Sequence, residues 1–73
     1  MSYIVILTSI TYVNKAQYLL SQNNIKSSII KLQSSLERRG CGYGLEVRAN
    51  FLQYAVTIIE NNGIRIVEIA KPD

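Results

Sequence analysis

The chain has 73 residues, of which 48% are apolar and 18% charged, with a net charge of +3 and a single cysteine. That length fits one domain, residues 1–73, and so apolar a composition argues against disorder. No basic run exceeds two residues, which disfavours a nucleic-acid face, and one cysteine excludes a disulfide framework.

Tyr3–Thr8 is a nearly unbroken apolar run rich in β-branched residues, as expected of a central strand with both faces at least partly covered. No basic segment precedes its apolar part, Ile4–Leu7, which reads as a strand rather than a signal peptide and is too short to span a membrane. Ser9 or Thr11 can cap a helix that runs to Asn23, with Tyr12, Ala16, Leu19 and Leu20 at helical spacing. Asn23-Asn24 ends it, since asparagine tolerates the left-handed conformation of helix termini. Ile25–Leu32 reads as a second strand, its serines and lysines placing it near an edge. Gln33–Gly42 is then longer than a hairpin needs, with Ser35–Arg38 able to form one helical turn.

Tyr43–Ala49 alternates cleanly, Leu45, Val47 and Ala49 against Glu46 and Arg48. Asn50 and Gln53 have capping-box spacing, and Phe51, Leu52, Ala55, Ile58 and Ile59 form the stripe of a second helix. Asn62-Gly63 stops that helix, and Ile64–Ile69 is the last strand before the tail Lys71–Asp73. The order βαββαβ predicts an α+β, ferredoxin-like domain. It has a four-stranded antiparallel sheet, the first and third strands central, and two helices on one face. The other sheet face is left without helices. Either Ile4 and Ile6 or Tyr3, Val5 and Leu7 point to it, and that open face is where a homodimer is expected to form.

Chemistry concentrates in Arg38-Arg39-Gly40-Cys41-Gly42-Tyr43-Gly44. With no histidine and one cysteine, a single chain cannot build an ordinary zinc site, a Cys-x-x-Cys dithiol, or Ser–His or Cys–His catalytic machinery. The glycines are followed by no Lys-Ser/Thr pair and precede a strand, so they form neither a P-loop nor a dinucleotide fingerprint, and no cofactor is expected. Tyr3 and Tyr43 are too few aromatics for a sheet that reads RNA. Two readings of Cys41 stand level. In one it is a small apolar turn residue whose flanking glycines supply unusual backbone angles. In the other the glycines leave the sulfur accessible, while Arg38 and Arg39 favour the thiolate, the nucleophilic form. The arginines have a plainer alternative as a solvated pair opposite Glu37.

Cys41-Gly42 leads into an apolar strand ending in Arg48. With the opening strand Tyr3–Thr8, the capped helix bearing Ala16 and Leu19-Leu20, and Ile25, this pattern resembles a family of small bacterial selenium/sulfur carrier-like proteins along nearly the whole chain. The resemblance implies that Cys41 bears the sulfur or selenium, that Gly42 is its conformational partner and that Arg48 is a basic residue on the adjoining strand. The expectation is a carrier that takes an atom from a donor protein and hands it to an acceptor, with no requirement that it catalyse turnover alone. Arg39 joins Cys41, Gly42 and Arg48 as a site candidate through its charge. The rival expectation is an interaction or assembly module working through the open sheet face, with Cys41 a turn residue. A free thiol places either one in the cytoplasm.

Overall fold

The computed structural model of the chain describes residues 1–33 and 42–72. Strands β1 (Ser2–Leu7), β2 (Ser27–Lys31), β3 (Tyr43–Arg48) and β4 (Ile66–Ala70) form one sheet in the order β2-β3-β1-β4. All three pairings are antiparallel, so β1 and β2 run the same way with β3 between them, and β3 and β4 the same way around β1. Helix α1 (Ile10–Gln22) links β1 to β2, and α2 (Leu52–Asn61) links β3 to β4. These are the two interleaved βαβ units of the ferredoxin-like α+β fold.

Ser9 caps α1: its side chain accepts from Tyr12 N at 3.2 Å while its backbone is still extended. Ser9→Ala should lower stability by about 1 kcal/mol in urea denaturation. The helix begins at Ile10 and buries Val13, Ala16 and Leu20, spaced to share one face. Tyr12, expected in that stripe, is 42% exposed. Val13, three residues before Ala16, is buried in its place.

Both helices end in the same way. Ile25 N donates to Leu20 O and Asn24 N to Ser21 O, with Asn24 at φ 60°; Ile64 N donates to Ile59 O and Gly63 N to Glu60 O, with Gly63 at φ 76°. This is the paired-bond termination that uses a left-handed residue just past the helix. It explains why Ile25 and Ile64, expected to open strands, do not. Each is buried against the last turn of its helix as the apolar contact of the cap, and the strands begin two residues later, at Ser27 and Ile66.

The start of α2 also departs from expectation. Ala49 N still bonds to Met1 O beside β1, and the chain then turns tightly through a 3-10 segment, Ala49–Phe51. Asn50 falls inside that turn, and the first helical residue follows Phe51, which makes no side-chain cap. The Asn50–Gln53 box is not formed. Phe51, held in the turn, is 37% exposed rather than part of the stripe, which buries Ala55 and Ile59.

The main core lies between helices and sheet and includes Val5, Leu7, Leu45 and Val47. Ile4 and Ile6 take the face opposite α1 and α2, where they cluster with Leu32 and with the partly buried Ile30, Val67 and Ala70. Ile4 is 4% and Ile6 0% exposed, so neither is an open apolar patch.

Candidate functional site

β3 begins immediately after Gly42, which holds φ 88°. Nothing stands within 4 Å of where a Cβ would sit, so the backbone angle, not lack of room, calls for glycine there. Leu32 N donates to Gly42 O at 2.9 Å, extending the β2–β3 ladder by one pair. The chain thus leaves and rejoins the sheet at a pinned pair. Tyr43 follows, 40% exposed and paired with Lys31. The end of β1 and the capped start of α1 lie at this same end of the sheet, since Ile6 pairs with Gly44.

Of the four residues singled out by the sequence, Gly42 and Arg48 are within the described structure. Cys41 and Arg39 lie outside the described residues, as does the turn expected at Ser35–Arg38. Arg48 is exposed and ends β3. It lies six positions along the strand from Gly42, a distance of about 20 Å. The structure therefore does not bring these two residues together.

Arg48 instead borders a groove of about 570 Å³ with Lys26, Ser28, Glu46 and Asn50. Glu46 Oε2 accepts from Ser2 Oγ at 3.0 Å, and among the described residues neither Lys26 nor Arg48 has a carboxylate within ion-pair distance. Ser27 lines the same groove, and its buried Oγ has no hydrogen-bond partner. Nothing in the order of residues indicated that Lys26 and Arg48 would line one groove. Their proximity depends on the β2–β3 register, which pairs Ser27 with Val47 and Ser28 with Glu46.

Among the described residues no group of three His, Cys, Asp or Glu side chains could hold a metal ion, and no helix is long and apolar enough to cross a membrane. Sheet order and paired βαβ units define a ferredoxin-like domain. Within that class, the family model described as "Putative Se/S carrier protein-like" matches residues 2–71, and the chain belongs to this family. None of the curated proteins and none of the solved structures compared with the chain matches it.

Proposed function

We propose that the protein carries sulfur or selenium as an adduct of Cys41. Membership of the carrier-like family over residues 2–71 carries this reading. It is supported by the local design at Gly42, where one peptide bond ties Cys41 to a residue anchored by the Leu32–Gly42 hydrogen bond. In the first step the Cys41 thiolate attacks the outer sulfur of a donor persulfide. A new S–S bond forms at Cys41 as the donor's S–S bond breaks, and the donor leaves as a thiolate with no net oxidation. An acceptor nucleophile then attacks the outer sulfur and Cys41 leaves as the thiolate. A lone cysteine suits this role, because no second thiol in the chain can discharge the persulfide internally.

Arg38 and Arg39 would favour the thiolate, while Arg48 contributes at a distance, as part of a partner-facing surface. Pairing of two copies through the face opposite α1 and α2 has less support, since Ile4, Ile6 and Leu32 are already buried. The test is intact mass after incubating reduced protein with a low-molecular-weight persulfide. One added sulfur atom is expected on the wild type and none on Cys41→Ser. An adduct that persists in Cys41→Ser, or none on either protein, would sink the proposal. The alkylation rate of Cys41 should also reach half its maximum at a lower pH in the wild type than in Arg38→Gln/Arg39→Gln, because cations stabilise the thiolate.

A further inference from the structure

We infer that the free edge of β2 docks an extended, acidic segment of a partner protein by strand addition. Among the described residues β2 pairs only with β3. The bond from Leu32 N to Gly42 O fixes the phase of the ladder. Antiparallel pairs alternate between bonded and non-bonded positions, so Ser28 and Ile30 face β3 with their N–H and C=O groups, while Ser27, Ile29 and Lys31 turn theirs outward. An independent contact agrees with this phase: Gln17 Nε2, on α1, reaches the outward Ser27 carbonyl at 3.2 Å. Beyond that point the edge is unpaired by any strand among the described residues.

Two grooves flank the start of this edge and share Lys26 and Ser27. One, of about 650 Å³, runs along α1 past Gln17, Tyr18 and Ser21. The other is the Arg48 groove on the opposite side. Exposed Lys26 and Lys31 stand at the two ends of the strand, and Arg48 lies beside the first. Lysines on an edge repel another copy of the same basic strand, a common protection against aggregation. The same charges attract an acidic strand, and outward N–H and C=O groups supply the main-chain bonds that strand addition uses. β4, the other edge, is a poorer template: its register shifts between Ile6 and Leu7, and it carries Glu68. Irregularities of this kind blunt an edge.

The inference goes beyond the carrier reading and does not depend on the thiol, so its test uses Cys41→Ser protein. The probe is a fluorescein-labelled eight-residue peptide alternating glutamate and valine, read by anisotropy. Saturable binding is expected, weakening by about tenfold or more when glutamine replaces the peptide's glutamates, or in the Lys26→Gln/Arg48→Gln variant. Lys31→Pro removes an outward N–H without touching a bond to β3, so it should fold and bind more weakly than Lys31→Gln. Lys31→Gln, which keeps the N–H, separates the loss of charge from the loss of the edge. Absence of saturable binding, equal binding of the glutamine peptide, or equal affinity of folded Lys31→Pro and Lys31→Gln would each overturn the inference.

Discussion

Ile6→Ala should destabilise the protein by about 2–5 kcal/mol, as expected for removing a fully buried aliphatic side chain. A chain of this length has about 4–11 kcal/mol of total stability at the usual per-residue value. The substitution therefore removes a large share of it. Ile6 points to the sheet face opposite α1 and α2, where an exposed side chain could be truncated almost without effect. Instead Ile6 is 0% exposed and packs with Ile4, Leu32 and Val67. Ile6→Val, which removes a single methylene, should cost about 0.5–1.5 kcal/mol and serves as the graded control. Urea denaturation monitored by circular dichroism gives both values. A loss below that of Ile6→Val would mean that this face carries no second core.

Burial of Ile6 also shows what the sequence could and could not say. Ile4 to Leu7 are all buried, so the run identified a central strand, yet an unbroken run has no alternation from which to choose a face. Alternation was present in β3, and Leu45 and Val47 fell on the helix side as a set. The helix stops were legible because Asn24 and Gly63 are residues that tolerate positive φ. Their continuation into the caps was not, since an isoleucine after a stop reads equally as a strand start or as a capping contact. At the site, Gly42 and the start of β3 at Tyr43 could be read from the pattern, although the strand ends at Arg48, one residue short of the expected Ala49. The grouping of Lys26 with Arg48 could not, because it requires the register between two strands separated by a long connection.

Gly44→Ala is the second substitution expected to act strongly, and it links the core to the candidate site. Gly44 is buried in mid-strand, on the side opposite α1 and α2, between Ile6 and Ile30. A Cβ there would lie 2.5 Å from Ile4 Cγ2 and 2.9 Å from Leu32 Cδ2, closer than carbon atoms can approach. Ile4 sits on a central strand and cannot yield freely, so overpacking should cost about 1–3 kcal/mol. Against this, alanine restricts the unfolded chain and recovers about 0.4–1 kcal/mol. The clash wins, and the thermal midpoint should fall by about 5–15 °C in a domain of this size. Combining Gly44→Ala with Ile4→Ala should cost less than the sum of the two, because the new methyl occupies space vacated by Cγ2. A coupling of about 1 kcal/mol is expected between such neighbours. Leu32 is both a contact of that methyl and the donor to Gly42 O, so displacing it loosens the pair from which the chain departs toward Cys41. Hydrogen exchange at the Leu32 amide should accelerate more in Gly44→Ala than in an Ile6→Val control matched for stability. Equal acceleration in the two would mean that the methyl acts on global stability alone and leaves the Gly42 anchor unaffected.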